Sequence, residues 1–417
     1  MEYGCIGEHL SHSFSKEIHA RLADYAYDLC ELPKDALPAF MTKKDFKAIN
    51  VTIPYKKDVI PYLDEISPEA KAIGAVNTIV NKNGKLYGYN TDFYGIKAAL
   101  GKMGFESLSG KKVLILGTGG TSRTAYAVAK DMGAKTVLRV SRTPNATDPL
   151  TTVSYEEAIA HHSDAAFIFN TTPVGMYPSI DPSPISLDAF DRLEGVFDAV
   201  YNPLRTTLVL DARSRGIAAE GGLYMLVSQA FYAVEIFLDK KLSASLLDKT
   251  FDAVRKSKEN IVLIGMPSSG KSTLGAHLSE YLKRPLYDSD ACIIEREKRS
   301  IPDIFESDGE AFFRDVEEKA IAALAELTGA VIATGGGAIL RDANVRRLKQ
   351  NGTLVLLDRS PEKLTPTADR PTANDFEAIR RRYNERYARY TAVADCHISA
   401  DGTVNEVFDL IRKELSI

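Results

Sequence analysis

Spacings that would hold a metal or a disulfide framework are missing from the chain. Its four cysteines, Cys5, Cys30, Cys292 and Cys396, form no CxxC pair, and its seven histidines form no HxxxH. The cysteine spacing supports neither a disulfide scaffold nor a zinc site, so reduced thiols are expected. An excess of one charge is also missing: the net charge is −4, with no long block of one sign. Nucleic-acid backbone binding favours a clear basic excess, so nucleic acid is not an expected partner. The most apolar long stretch, Leu223 to Leu238, is interrupted by Ser228, Gln229 and Glu235. It reads as one buried helix, not a membrane span. The opening MEYGCIGEHLSHS lacks a basic segment followed by an apolar run, so no signal peptide and a cytoplasmic location are expected. There is no low-complexity segment and no short internal repeat.

What is present is ordinary for a water-soluble globular chain: 417 residues, 45% hydrophobic and 26% charged. At roughly 100–200 residues per domain this length suggests two to four domains.

Two segments share one pattern, an apolar run followed by a glycine-rich turn and a helix. They are KKVLILGTGGTSRTAYAVAKDMG, from Lys111 to Gly133, and NIVLIGMPSSGKSTLGAHLSEYL, from Asn260 to Leu282. The apolar run suits a buried parallel strand. The glycines allow a sharp turn and close approach to a ligand. The helix N-terminus then presents unpaired N–H groups and a partial positive charge to phosphate. The second loop is a full GxxxxGK[ST] match running from Gly265 to Ser272. The amides around Gly265, Ser268, Ser269, Gly270 and Thr273 can wrap phosphate oxygens, Lys271 can reach the β and γ phosphates, and Ser272 can hold Mg²⁺.

The first loop, Gly117-Thr118-Gly119-Gly120-Thr121-Ser122, only approximates GxGxxG, since Ser122 takes the third glycine's place. The following strand, KTVLRVSRT, ends on Ser141, Arg142 and Thr143, where an acidic residue would otherwise bind a ribose 2′-hydroxyl. A cation with two hydroxyls suits a 2′-phosphate, so NADP(H) is expected rather than NAD(H). A solvated surface arginine is the competing reading of Arg142.

Along the chain, strand-like AINVTIP and AVNTIV and helix-like SKEIHARLADYAY precede the first loop. AAFIFNTTP and GVFDAVYNP continue the dinucleotide unit. The charged stretch DKTFDAVRKSKEN, from Asp248 to Asn260, has few apolar residues, and the main boundary is expected near Lys256 to Glu259. The expected domains are 1–100, 101–222, a 223–257 segment of helices and linker, and 258–417, with the helix 223–240 packing back on the first.

Residues 1 to about 255 resemble shikimate dehydrogenase, through LSHSFS, NVTIPYK, GAVNT, GYNTD, NTTPVGM, DAVYNP and GGLYMLVSQA in that order. The resemblance implies reduction of 3-dehydroshikimate to shikimate by NADPH. It implies Lys56 as general acid/base and Asp92 as its carboxylate partner. Ser13 and Ser15 would meet the substrate carboxylate, and Thr52, Asn77, Gln229 and Tyr201 would meet the rest of it. Ala199 and Gly222 would border the cofactor. The residue types suit these roles, because each carries a directional donor or acceptor. Plainer readings exist. Lys56-Lys57 suits solvated surface, Ser13, Ser15 and Asp92 could cap helices, and Asn77 could serve a turn. The family's strand-end NRT is SRT here.

Residues from about 260 to 417 resemble shikimate kinase, through the phosphate loop, LYDSD, GEAFFRDVE, IATGGGAIL and RYARY. Read as a strand, LYDSD puts Asp288 and Asp290 on one face, Asp288 supporting Mg²⁺ and Asp290 orienting the attacking hydroxyl. The resemblance implies Arg314 and Arg386 as carboxylate or hydroxyl contacts and Gly335, Gly336 and Gly337 as a close backbone wall. Arg370 would reach the transferring phosphoryl group from a lid over Ser360 to Asp375. An Arg314–Glu317 helix ion pair and a tight glycine turn are the plainer readings. In the lid, Thr372 stands where the family has leucine, and Lys363 stands near a position often held by arginine.

The implied fold is α/β: an N-terminal α/β substrate domain and a Rossmann-type NADP domain, followed by a P-loop kinase domain with a parallel sheet. The implied activity is bifunctional, with NADP(H), ATP and Mg²⁺ as cofactors and 3-dehydroshikimate and shikimate as partners. A non-catalytic ligand sensor, or a quinate/shikimate dehydrogenase joined to a kinase, are the alternatives. The oligomeric state stays open.

Overall fold

A computed structural model describes residues 1–10, 14–144, 150–365 and 376–417. The chain divides into two compact units, Met1–Arg255 and Lys256–Ile417.

The first unit holds two six-stranded sheets. One runs, from edge to edge, Tyr27–Glu31, Tyr3–Gly7, Ala48–Val51, Thr78–Lys82, Lys85–Tyr89, Glu65–Ile66. It is mixed, since Thr78–Lys82 pairs antiparallel with both its neighbours. The other is parallel throughout: Ala218–Glu220, Gly195–Asp198, Phe167–Asn170, Lys112–Leu116, Thr136–Val140, Thr152–Val153. Its central strands are apolar on both faces, as a sheet covered by helices on both sides requires.

The segment 223–238 forms the helix Gly222–Leu238, which buries twelve of its residues, Glu235 among them. It lies against the helices Thr91–Lys102 and Ser15–Leu22. A Cβ on Gly95 would stand 2.7 Å from the Met225 carbonyl oxygen and 3.2 Å from Gln229 Cβ. Only glycine permits two helix backbones to approach this closely, and the approach fixes Asp92 and Gln229 relative to each other. Gly222 works in the same way: its Cβ would stand 2.2 Å from the Ala199 carbonyl oxygen.

The charged stretch 248–260, within the segment expected to hold helices and a linker, is mostly helix. Ala244–Lys258 is one helix that buries Leu247, Thr250, Phe251 and Val254 and ends two residues before the strand Asn260–Ile264. Its apolar residues are few but fall on one face, so periodicity outweighs composition. SKEIHARLADYAY splits into the helix Ser15–Leu22 and the strand Tyr27–Glu31.

The second unit has one five-stranded parallel sheet in the order Leu286–Asp288, Val331–Ala333, Asn260–Ile264, Gly352–Asp358, Cys396–Ser399. The strand Asn260–Ile264 is central and completely buried, and its C-terminal end opens into the GxxxxGKS loop.

Gly95→Ala is expected to cost the first unit about 1–3 kcal/mol, because the backbone it meets cannot swing aside. Amide exchange along Thr91–Lys102 should quicken in that variant; unchanged protection would show that the helix contact is not tight.

Candidate active sites

In the first unit a cavity of about 300 Å³ opens between the two sheets. Ser15, Thr52, Lys56, Asn77, Asp92, Tyr201 and Gln229 all line it, although 214 positions separate the first from the last. Ser13 lies outside the described residues. Lys56 Nζ donates to Asp92 Oδ2 at 2.5 Å, and both side chains are mostly shielded. Asp92 is the second residue of the helix Thr91–Lys102 and Asn90 holds the N-cap position, so Asp92 does not cap it. Ser15 likewise opens its helix, directly behind Phe14 at the N-cap position.

Asn77 is oriented by its neighbours. Its Oδ1 accepts from Thr91 N at 2.7 Å and from Thr78 Oγ1 at 3.0 Å. The carbonyl side of the amide is thus occupied, which leaves the NH₂ as the group offered to a ligand. Gln229 Nε2 donates to the Leu226 carbonyl at 3.0 Å.

Asn50, also in the cavity wall, is a residue the sequence reading missed. It accepts from Tyr27 Oη at 2.7 Å and donates to Thr78 Oγ1 at 3.1 Å. Tyr27 stacks on the buried His19, ring centroids 3.8 Å apart. Burial lowers the His19 imidazole to about 3, so the ring is neutral. A polar residue inside the fully buried strand Ala48–Val51 was the available signal.

The dinucleotide loop follows the strand Lys112–Leu116. Gly117 has φ +104°, a left-handed conformation that favours glycine, and Gly119 is the N-cap of the helix Gly120–Asp131. Thr118, Gly119 and Gly120 are exposed and Thr121 is half-buried. Ser122, in the third glycine's place, is buried and donates to the Gly119 carbonyl at 2.7 Å, so it closes the turn rather than obstructing it. Ser141, Arg142 and Thr143 follow the strand Thr136–Val140, Arg142 exposed and Ser141 Oγ accepting from Thr143 N at 3.3 Å. An open glycine turn, a helix N-terminus and an exposed guanidinium fit an anionic dinucleotide carrying a 2′-phosphate.

Behind this loop the buried Asp198 accepts from Asn170 Nδ2 at 2.9 Å, Val200 N at 3.0 Å and Thr206 Oγ1 at 2.7 Å. Burial pushes its carboxyl up to about 7, while those three donors pull in the opposite direction.

The second unit has its own cavity, also about 300 Å³, lined by Asp288, Asp290, Arg314, Glu317, Gly335, Gly336, Gly337 and Arg386. Gly265 and Gly270 take φ +146° and +94° in the phosphate loop. Lys271 Nζ lies within 2.9 Å of the Gly265 carbonyl and 2.8 Å of the Met266 carbonyl. Ser268 is only partly buried and donates to the Thr365 carbonyl at 2.7 Å, while Ser269 is buried. Thr273, in the first turn of the helix Lys271–Leu282, is exposed.

Ser272 Oγ donates to Asp288 Oδ2 at 3.0 Å, which brings the two expected metal ligands together. Among the described residues no group of three or more His, Cys, Asp or Glu side chains could hold a metal. A hydroxyl and one carboxylate suit Mg²⁺ that takes its other oxygens from nucleotide phosphates and water.

The expectation that Asp288 and Asp290 share a strand face is corrected. The strand ends at Asp288, which caps the helix Ser289–Glu297 by accepting from Asp290 N and Ala291 N, and Asp290 lies in that helix's first turn. Both still reach the cavity.

The three glycines lie against charged side chains. A Cβ on Gly335 would stand 2.4 Å from Asp290 Oδ1, and one on Gly337 would stand 1.9 Å from Arg314 Nη1. Arg314 pairs with Glu317 at 2.7 Å and Glu310 at 2.9 Å, so the helix ion pair and the cavity position coexist. Arg386 donates to the Gly336 carbonyl at 2.9 Å. Tyr390 Oη, also missed, lies 2.6 Å from the Gly336 carbonyl and 3.0 Å from that of Gly265, tying the glycine wall to the phosphate loop. Arg370 lies outside the described residues.

The folds and sites together define a reductase on a dinucleotide-binding sheet, joined to a P-loop phosphotransferase. Residues 267–416 match the family model described as shikimate kinase, and residues 5–79 match that of the shikimate dehydrogenase substrate binding domain. A shikimate dehydrogenase (NADP(+)) of Clostridium beijerinckii is 38% identical over 261 residues, 58% of this chain and 96% of that protein. Two solved structures are similar to the N-terminal part. A chorismate mutase/shikimate 5-dehydrogenase fusion protein from Clostridium acetobutylicum has TM-score 0.56 and 36% identity, over 60% of this chain and 96% of that one. Shikimate 5-dehydrogenase from Thermus thermophilus in complex with NADP(H) and shikimate has TM-score 0.54 and 29% identity, over 61% and 99%. The chain belongs to the shikimate dehydrogenase family and carries a shikimate kinase domain on the same polypeptide.

Asp198 yields a pH prediction. Its folded-state proton affinity exceeds the ordinary value of 3.8, so its contribution is full below about pH 4 and fades as pH rises toward about 7. The unfolding transition that NADP⁺ shifts should weaken from about pH 4 to about pH 7, and Asp198→Asn should flatten that decline. An equal decline in both proteins would place the titrating group elsewhere.

Proposed function

We propose that the chain carries out two consecutive reactions on one small hydroxylated acid. The first unit reduces 3-dehydroshikimate to shikimate, and the second phosphorylates the 3-hydroxyl of shikimate. The carrying observation is that each unit pairs a phosphate loop with its own cavity of about 300 Å³ lined by charged and hydrogen-bonding side chains. When bound, NADPH supplies a hydride, and ATP-Mg supplies the phosphoryl group and part of the charge neutralisation.

In the first cavity the Lys56 ammonium delivers the proton to the carbonyl oxygen being reduced, and Asp92 holds that ammonium in place. Ser15, with Ser13 beyond the described residues, takes the substrate carboxylate. The NH₂ of Asn77, with Thr52, Gln229 and Tyr201, takes the hydroxyls. Gly222 and Ala199 form a close backbone contact beside the cofactor.

In the second cavity Asp290 orients the 3-hydroxyl and receives its proton. Arg314 and Arg386 hold the carboxylate through planar forks. Lys271 is set to leave its loop carbonyls for phosphate oxygens, while Ser272 and Asp288 hold Mg²⁺ directly or through water. Arg370 belongs to this proposal as a further charge on the transferring group. No helix among the described residues is long and apolar enough to cross a membrane. A cytoplasmic location is part of the same reading.

Lys56→Ala should lower dehydrogenase turnover by roughly 10²–10⁴ and leave shikimate phosphorylation intact. Lys271→Ala should do the reverse. Assays of shikimate with NADP⁺, and separately with ATP-Mg, read both. Near-normal dehydrogenase turnover in Lys56→Ala would remove its proton role.

A further inference from the structure

The first unit contains another cavity, of about 430 Å³, larger than the one assigned to substrate. Three tyrosines form its walls: Tyr89 at the end of a strand, Tyr94 on the helix Thr91–Lys102, and Tyr232 on the helix Gly222–Leu238. The Tyr94 and Tyr232 rings lie 5.3 Å apart and tilted. Tyr94 Oη is held by Glu69 at 2.6 Å, which fixes its ring as part of the wall.

The rim carries both charges. Glu235 is already committed, accepting from Lys241 Nζ and from Leu242 N at 2.8 Å each. Asp239 meets Lys82 only at 3.4 Å, with both side chains largely exposed, a pairing worth little against water. Among the described residues the Lys240 ammonium pairs with no carboxylate. The helix Gly222–Leu238 also ends here, so its last carbonyls add negative potential beside Asp239. Aromatic walls offer ring-on-ring contact, and a rim with an exchangeable carboxylate and ammonium offers one site to each end of a zwitterion.

We propose that this cavity binds a small aromatic amino acid, with its ring against the Tyr94–Tyr232 pair, its ammonium on Asp239 and its carboxylate on Lys240 and Lys82. Occupancy is felt in the substrate cavity, because the same two helices carry both sets of residues. Asp92 lies two residues before Tyr94, and Gln229 three before Tyr232. Gly95 holds these helices in backbone contact, so a ligand packed on the tyrosine pair bears on the helix contact that sets Asp92 against Gln229. The coupling rests on the dehydrogenase reading above; the binding does not.

Calorimetric titration of the full chain with L-phenylalanine tests the binding independently of activity. The expected result is saturable binding of one ligand per chain, weakened roughly tenfold or more in Tyr232→Ala and in the surface double variant Lys82→Met/Asp239→Asn. The double variant changes exposed charges only and guards against misfolding. Phenethylamine and 3-phenylpropionate, each missing one charge, should bind more weakly than phenylalanine. Absence of saturable binding, binding unchanged in the double variant, or equal binding of all three compounds would overturn the proposal. Saturating phenylalanine should also shift the dehydrogenase KM for shikimate by about fivefold or more. Binding without that shift would overturn the coupling, and loss of all shikimate turnover in the untreated enzyme would instead sink the functional reading.

Discussion

Backbone passing within van der Waals contact of working groups is the constraint on which both sites depend. At Gly95 two helices touch, so that Asp92 and Gln229 face one cavity. At Gly335 and Gly337 a loop lies against Asp290 and Arg314, where any Cβ would occupy the space of the carboxylate or the guanidinium. At Gly222 the start of a helix meets the Ala199 carbonyl at the foot of the dinucleotide sheet. In each case the glycine serves a contact, and a side chain there would displace a group to which the proposed chemistry is assigned.

Around those contacts the polar groups are largely bonded to one another before any ligand arrives. Asn77 has its carbonyl occupied and offers its NH₂, Asn50 is locked by Tyr27 and Thr78, and Asp288 is both helix cap and partner of Ser272. Such preorganisation reduces what binding must spend on ordering side chains. It also accounts for why a capping or ion-pairing interpretation and a functional one need not compete. Asp288 caps a helix and Arg314 makes helix ion pairs, and each also reaches the kinase cavity.

The phosphate loops were legible because their chemistry is local: strand, turn and helix are contiguous, and the required residues fall within a dozen positions. The long helix Gly222–Leu238 was legible from its apolar length. The aspartate pair was misjudged because the strand is only three residues long and stops at Asp288. The helix Ala244–Lys258 falls in the segment expected to hold helices and a linker, but its extent was obscured by its charge, its few apolar residues being enough for one buried face. Asn50 left only a weak signal, a polar residue in an apolar strand, and Tyr27 and Tyr390 left none because they act across the fold. Tyr390 reaches a glycine 125 positions away, a contact that only the folded sheet creates.

The central claim is that one chain holds two separate sites for the same acid. Calorimetric titration of the purified chain with shikimate, in the presence of NADPH and ADP-Mg so that neither site can turn over, tests it most directly. The account predicts two shikimate molecules per chain. A single molecule bound, or none, would contradict it.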